Sequence, residues 1–162
     1  MKKIRQALDG MLSVLAGTCF LAMTVLTCWQ VFTRFVLKNP SSWSEELISY
    51  LFAWASLLGA VLVTGERGHM NIPILVEKLN PLGQKLLNCF GELVALVFSA
   101  AILIYGGTQI NTLAMGQMTS SLGVAVGVFY VLLPVCGMFS VVYTILNIVD
   151  IWNGTQEERK VE

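Results

Sequence analysis

Charged residues and histidine are scarce in this 162-residue chain. Only 12% of its residues are Asp, Glu, Lys or Arg, and His69 is the one histidine. Ten basic and ten acidic side chains balance to a formal charge of zero, so no basic excess points to nucleic acid as a partner. A single histidine also cannot supply two membrane ligands to a haem. These shortages exclude a nucleic-acid-binding protein and a cytochrome-type membrane anchor.

Cysteine is present without the spacing of a ligand set. The four cysteines are Cys19, Cys28, Cys89 and Cys136, and no two of them stand at metal-ligand or disulfide-framework spacing. Each falls inside an apolar run, where a thiol behaves as a small polarizable side chain. No arrangement of catalytic residues accompanies them. The sequence therefore predicts no metal, no cofactor and no enzyme.

Long uncharged runs dominate what remains, because 56% of the residues are hydrophobic and the mean hydropathy is +0.72. Residues 10–33 form 24 positions without a charge, residues 47–65 form 19, and residues 93–149 form 57. A bilayer core of about 30 Å needs roughly 20 residues of helix. The longest run is interrupted at 115–127 by glycine, serine, threonine and glutamine, which favour turns. The sequence therefore predicts four transmembrane helices.

The predicted fold is therefore an all-α integral membrane protein with a single membrane domain, 1–162. The first run is too long for the apolar region of a signal peptide, so it is expected to remain as a helix. Between the second and third helices, apolar residues recur at helical spacing over a segment too short to span, which predicts an amphipathic helix in the interface. The expected boundaries are about 10–36, 43–65, 85–114 and 123–152 for the spans and 71–80 for the interfacial helix.

The basic residues predict the orientation in the membrane. Eight of the ten lie before the first span, between the second and third, or after the fourth, whereas only Arg34 and Lys38 lie in the first connection. By the positive-inside rule, both termini are expected in the cytoplasm. The corner between the first two spans then lies on the periplasmic side.

That corner carries the most specific local pattern. Ser42 and Glu45 have the spacing of a capping box for the second helix, and Glu45 and Glu46 complement its positive end. Arg34 and Lys38 share a face at the end of the first helix and are placed to meet those carboxylates. Two interpretations stay open: a cap with an ion pair at the corner, or a charged surface that contacts a periplasmic protein.

The second helix carries two further stripes. Tyr50 and Trp54 lie on one side of it, well inside the predicted span. Two pairs of small residues, Ala55 with Gly59 and Ser56 with Ala60, permit close approach of another helix. Packing among the four helices of this chain and packing against another membrane subunit both fit this pattern.

Glu92 is the one carboxylate well inside an apolar run, which makes it a functional candidate. It lies seven residues past Lys85, about 10 Å along a helix. Ion or proton coupling is one interpretation. A structural bond to a neighbouring helix or another chain is the other.

Taken together, these segments resemble a known family. The run WQVFTRFVL at 29–37, Pro40, WSEEL at 43–47, YLFAW at 50–54 and LGA at 58–60 are similar to the small membrane subunit, of the DctQ type, of tripartite ATP-independent periplasmic (TRAP) transporters. The phrase YVLLPVCG at 130–137 extends the resemblance into the fourth helix.

This resemblance implies a place in the bacterial inner membrane within a sodium-coupled importer of organic acids, with sialic acid or C4-dicarboxylates as substrates. In that family a large multi-span membrane subunit carries the substrate and sodium sites, and a periplasmic binding protein delivers the substrate. The small subunit would brace the large one. Two residue sets follow: Arg34, Trp43, Glu45 and Glu46 for docking of the binding protein, and Tyr50, Trp54, Gly59 and Glu92 for contacts with the other subunit or with membrane lipids.

Two other functional classes remain open. A small self-sufficient multidrug or cation exporter also has four helices, and it would use Glu92 as its coupling carboxylate. A membrane anchor or assembly factor would have no part in transport.

Overall fold

The regular elements of the chain are helices. The computed structural model describes residues 2–66 and 81–152, and the predicted interfacial helix at 71–80 lies outside these residues. In chain order the elements are α1 (Lys2–Phe35), α2 (Ser42–Glu66), α3 (Pro81–Phe98), a π-helical segment (Ser99–Gly106), α4 (Gly107–Ala114), α5 (Gly127–Tyr130) and α6 (Leu132–Trp152).

Four stretches of these helices are long and apolar enough to cross a membrane. We call them span 1 (Arg5–Phe35), span 2 (Ser42–Gly65), span 3 (Gly83–Ala114) and span 4 (Gly127–Trp152). This confirms the prediction of an all-α chain with four apolar helices of spanning length. Span 3 combines α3, the π-helical segment and α4, and span 4 combines α5 and α6.

The spans pack as a series of neighbours. Span 1 lies along span 2, span 2 packs against span 4, and span 4 packs against span 3. A small core joins spans 1, 2 and 4. It is formed by Leu12, Leu58, Val61, Cys136 and Tyr143. Of the most apolar 18-residue stretch in each span, 6% is buried within the chain in span 1, 11% in spans 2 and 3, and 28% in span 4. Span 4 is therefore the central helix, and most of the apolar surface faces outward.

Spans 3 and 4 approach each other closely at Gly137. A Cβ atom added there would lie 2.8 Å from the Cβ of Leu103 and 3.1 Å from the backbone nitrogen of Ile104. Both of these residues belong to the π-helical segment, whose wider turns displace the backbone from an α-helical path. A shared hydroxyl hydrogen bond of 2.8 Å between Ser99 and Ser140 joins the same two spans.

A buried polar cluster joins the ends of spans 1, 2 and 4 that lie near the chain termini; we call it the Arg5 cluster. The Arg5 guanidinium pairs with Asp150 at 3.1 Å and also donates to the side-chain oxygen of Asn147. The amide nitrogen of Asn147 donates to the backbone carbonyl of Thr64 at 3.1 Å. Arg5 is 6% exposed and Asn147 is fully buried. Arg5 thus links span 1 to span 4 directly, and Asn147 extends this link to span 2.

Removing the Arg5 side-chain charge should destabilise the chain strongly. Arg5→Met removes the guanidinium that pairs with Asp150 and donates to the side-chain oxygen of Asn147, and breaking one partner of a buried pair costs about 3–5 kcal/mol. We expect a lower unfolding midpoint for the purified chain in detergent micelles. Lys85→Met, which removes an exposed charge, is the matched control and should leave the midpoint unchanged. Equal midpoints for the two variants would contradict the role given to Arg5.

Two glycines should respond in opposite ways to an added methyl group. Gly137→Ala overlaps the π-helical segment and should lower the free energy of unfolding by about 1–3 kcal/mol. Gly59→Ala meets nothing within 4 Å, and should leave it unchanged or raise it by about 0.5–1 kcal/mol because alanine is the better helix former. Titration of both variants with a denaturing detergent measures the difference. A Gly137→Ala variant as stable as the wild type would show that the two backbones are not in close contact.

Candidate functional site: the corner end of the helices

The turn between spans 1 and 2 is tightly built. We call this end of the molecule, which also carries the connection between spans 3 and 4, the corner end. Lys38 adopts a positive φ of 50°, in the left-handed region that side chains other than glycine rarely occupy. The next amide, that of Asn39, donates back to the carbonyl of Thr33 at 3.1 Å. The turn reverses the chain within six residues, 36–41.

The cap of α2 differs from the predicted capping box. The helix begins at Ser42, so Ser41 holds the cap position and its hydroxyl shares a hydrogen bond with that of Ser44. The Ser44 hydroxyl also lies 2.8 Å from the carbonyl of Ser41. The capping box predicted from Ser42 and Glu45 is therefore wrong, because Ser42 already lies within the helix and the side chains at the cap that bond are those of Ser41 and Ser44.

Glu46 binds the backbone of the other connection at the corner end. Its two carboxylate oxygens accept hydrogen bonds from the amides of Ser120 and Ser121, at 3.1 and 2.9 Å. A carboxylate that accepts two N–H groups makes a strong charge-assisted contact. Glu46 thereby connects the first turns of α2 to the loop between spans 3 and 4, which lies more than 70 residues further along the chain.

The segment that Glu46 holds is a short β-hairpin, residues 117–126. An antiparallel bridge pairs Met118 with Ala125. The Thr119 amide donates to the Val124 carbonyl at 2.8 Å, and the Val126 amide donates to the Gln117 carbonyl at 2.9 Å. Gly123 takes a φ of +64° at the tip, where a side chain would be strained. The sequence predicted only a turn in this region.

The remaining predicted docking residues are accessible. Arg34 and Glu45 are exposed, and Trp43 is 41% exposed beside an open crevice of about 570 Å³ between the end of α1 and the start of α2. Across residues 2–66 and 81–152, neither Arg34 nor Lys38 forms an ion pair with Glu45 or Glu46. The predicted pairing at the corner is therefore wrong, since Glu46 is turned toward the hairpin.

Tyr50 and Trp54 pack inside the chain. The ring of Tyr50 stacks on that of Phe129, with centroids 4.0 Å apart and planes 6° from parallel. The indole N–H of Trp54 donates to the carbonyl of Phe129 at 2.8 Å, close to the point where α5 ends and α6 begins. These two residues attach span 2 to span 4.

Gly59 has open space in front of it. No atom lies within 4 Å of a Cβ added there, and its neighbours Ser56 and Ala60 are exposed. We call the surface formed by Ser56, Gly59 and Ala60 the small face of span 2. No helix of the described chain fills it, although small residues at this spacing let helices approach closely.

Glu92 is buried, at 3% exposure, and it has a polar partner. It precedes Ser99 by seven residues, and Asn147 follows Ser140 by seven. Because seven residues are about two helical turns and Ser99 contacts Ser140, Glu92 lies near the level of Asn147 on antiparallel helices. The structure thus places Glu92 inside the chain, at about the level of the Arg5 cluster along the helices.

Two contacts near the chain termini do not follow from the sequence analysis. Arg5 enters that analysis only as a basic residue before span 1, and Asp9 does not enter it. In the structure, Asp9 accepts a hydrogen bond from the hydroxyl of Tyr143 at 2.5 Å. A one-turn spacing of Arg5 and Asp9 on the same side of a membrane helix was the available signal. Among the described residues, no group of three His, Cys, Asp or Glu side chains is arranged to hold a metal ion.

The comparison with known families decides the classification. Residues 23–154 match the family of tripartite ATP-independent periplasmic transporters, DctQ component. The chain belongs to this family. It is a small permease subunit of a TRAP transporter and a multi-pass membrane protein, and its family consists of transporter subunits, not enzymes.

The chain is similar to TRAP transporter permease proteins of two bacteria. The sialic acid TRAP transporter small permease protein SiaQ of Vibrio cholerae is 28% identical over 87% of this chain and 81% of its own length. A TRAP transporter small permease protein of Haemophilus influenzae is 31% identical over 68% of each chain. The sialic acid TRAP transporter permease protein SiaT of Haemophilus influenzae is 29% identical over 60% of this chain, but only over 16% of its own length.

Neutralising Glu46 should loosen the hairpin. Glu46→Ala removes both acceptors of the Ser120 and Ser121 amides, and a hydrogen bond to a charged group contributes about 1.5–3 kcal/mol. We expect faster amide exchange at residues 120–124 in the purified chain. Glu45→Ala is the adjacent control and should leave exchange unchanged, because Glu45 does not contact the hairpin. Unchanged exchange in Glu46→Ala would show that the hairpin is held by its own bonds.

Proposed function

We propose that this DctQ-type subunit works in a sodium-coupled importer of organic acids in the bacterial inner membrane. Its partners are a large multi-span permease subunit and a periplasmic substrate-binding protein. The family match over residues 23–154 carries the proposal, since a tripartite transporter has two further components.

The association with a large permease has support in the similarity to SiaT. The chain matches 16% of the length of that permease protein, so a segment like this one is a minor part of a much longer membrane polypeptide there. Where the segment like this one and the rest of the permease are separate chains, the two chains would have to bind each other in the membrane. We propose that the chain braces the immobile part of the large subunit.

Sialic acid is the proposed substrate, with C4-dicarboxylates as the second choice. Two of the relatives described above are named for sialic acid transport. The substrate and sodium sites are proposed to lie on the large subunit, as in the family that the chain belongs to. Both termini are proposed to be cytoplasmic because eight of the ten basic residues lie on that side of the predicted topology.

The small face of span 2 is the proposed seat of the large subunit. Ser56 and Ala60 are exposed and a Cβ added at Gly59 would meet open space, and close approach of helices is the contact that small residues favour in lipid. Tyr50 and Trp54 contribute by holding span 2 in place against Phe129. Glu92, being buried, is proposed to serve the internal packing of the subunit. Lipids are the proposed neighbours of the remaining outward surface.

Docking of the binding protein is proposed at the corner end. Arg34, Trp43 and Glu45 are exposed there, so they are free to contact a soluble protein. Glu46, whose carboxylate is occupied by two backbone amides, is proposed to shape this surface without touching the partner.

Purification of the tagged chain from its native membrane in a mild detergent tests this function. We expect a large multi-span permease to co-purify in stoichiometric amount. Gly59→Leu should abolish that association because it fills the small face, whereas Gly17→Leu, at another glycine with no atom within 4 Å of an added Cβ, should retain it. Both variants should fold as isolated chains.

The outcomes separate the proposal from its rivals. A chain recovered only as its own homo-oligomer would reject the accessory role and favour a small exporter with Glu92 as its coupling site. A chain recovered alone, with solute uptake unaffected by its deletion, would favour an anchor or assembly factor. Co-purification by Gly59→Leu equal to the wild type would leave the function intact and place the contact elsewhere.

A further inference from the structure

Span 4 is interrupted near the corner end. Its first helix, α5, ends at Tyr130, and α6 begins at Leu132. Pro134 has no amide hydrogen, so it cannot donate to the carbonyl of Tyr130, as the residue four places further along an α-helix normally does. The hydrogen bond from the Val135 amide to the Val131 carbonyl is also long, at 3.4 Å. We call residues 130–134 the break in span 4.

Span 2 supplies a hydrogen-bond donor beside this break. The indole N–H of Trp54 donates to the carbonyl of Phe129 at 2.8 Å. The carbonyl of Tyr130 comes next along the chain, and it is the one to which Pro134 cannot donate. A carbonyl left without a donor in an apolar surrounding costs free energy. A donor from outside the helix is therefore expected for Tyr130 as well as for Phe129.

Span 3 presents a polar side chain, Asn111, on the face that packs against span 4. Gly107 and Ala114 are the buried residues of α4, and Asn111 lies four places after the first and three places before the second. Residues at this spacing share one face of a helix. Because α4 packs against α5, this face is the one that contacts span 4.

Two close contacts fix the level of Asn111 along span 4. One turn before it, a Cβ atom added to Gly107 would lie 3.2 Å from the nitrogen of Pro134. One turn after it, the backbone nitrogen of Met115 would lie 2.8 Å from a Cβ atom added to Gly127. Asn111 lies between these two contacts and is therefore at about the level of the break in span 4.

The side-chain oxygen of Asn111 is a second acceptor at this level. This atom, Oδ1, is buried, and no group within residues 2–66 and 81–152 donates a hydrogen bond to it. The two helices that meet here, α4 and α5, carry no charged residue. Two neutral oxygens that accept hydrogen bonds, Oδ1 of Asn111 and the carbonyl oxygen of Tyr130, thus lie at one level between spans 3 and 4.

We propose that one ordered water molecule donates a hydrogen bond to each of these two oxygens and so joins span 3 to the break in span 4. A buried water needs two to four polar partners, and its two hydrogens match two acceptors. A hard metal cation takes about six oxygen ligands or more, which two oxygens do not supply. A side chain of another subunit could not reach Oδ1, because that atom is buried within this chain. The inference does not depend on the proposed function.

The sign of a stability change tests the water bridge. Asn111→Leu would remove one acceptor, expel the water and leave the Tyr130 carbonyl without a donor, so the equilibrium constant for unfolding of the purified chain should rise about tenfold. If nothing bound Oδ1, the same substitution would remove an unsatisfied buried group and leave that constant unchanged or lower it. Gln109→Leu is the matched control, because Gln109 is an exposed amide of the same helix, and it should leave the constant unchanged.

A double-mutant cycle tests whether Asn111 acts through the break. Pro134→Ala gives the Tyr130 carbonyl an amide donor within the helix, so the water is no longer needed there. Asn111→Leu should therefore raise the unfolding constant less in the Pro134→Ala chain than in the wild type. Additive effects of the two substitutions would overturn the bridge.

Water contact in the wild-type chain separates the bridge from a direct bond between the Asn111 amide nitrogen and the Tyr130 carbonyl. We expect magnetization transfer from water to the side-chain amide hydrogens of Asn111, measured by NMR in lipid nanodiscs and corrected for hydrogen exchange. The indole hydrogen of Trp54, which is bonded to a protein carbonyl, is the dry reference. No transfer at Asn111, or an Asn111→Leu chain as stable as the wild type, would overturn the proposal.

Discussion

Water is absent from the core of a bilayer, and this constraint governs how the chain holds its helices together. Lipid tails are as apolar as leucine, so burial of apolar side chains supplies little attraction between helices there. Specific contacts take over. The Arg5 cluster joins three spans at one end, the Ser99–Ser140 pair and Gly137 join spans 3 and 4, and Glu46 ties the hairpin to α2 at the other end.

Because apolar surface gains little from burial in lipid, the spans can remain largely unburied within the chain. Span 1 is the extreme case, with 6% of its most apolar stretch buried, and no helix within residues 2–66 and 81–152 fills the space in front of Gly59 on the small face of span 2. In a self-sufficient transporter the spans would enclose a polar pathway. In the described part of this chain, Arg5 instead bonds Asn147 and Asp150 near the ends of spans 1 and 4. Such a chain is suited to being one component of a larger membrane assembly, which agrees with its membership of the DctQ family.

The sequence predicted the four helices and the family because both depend on runs of residues. Uncharged stretches determine what can span a membrane, and the segment from Trp29 to Ala60 carries the resemblance to DctQ subunits. The pairings within the site depend on how deep each helix lies in the membrane and on its rotation about its axis. The periodicity of the sequence supplies neither quantity. Glu46 and Glu45 look alike in sequence, yet only Glu46 points to the hairpin. By sequence, Tyr50 and Trp54 could pack against either this chain or another subunit. In the structure they pack against Phe129 of this chain.

We propose that this chain supports transport but does not itself bind or move the solute. Solute uptake into proteoliposomes under a sodium gradient measures this directly, with the chain, the large permease and the binding protein reconstituted singly and together. We expect concentrative uptake of an organic acid only when all three are present. Uptake or cation export by this chain alone, or undiminished uptake when it is left out, would contradict it.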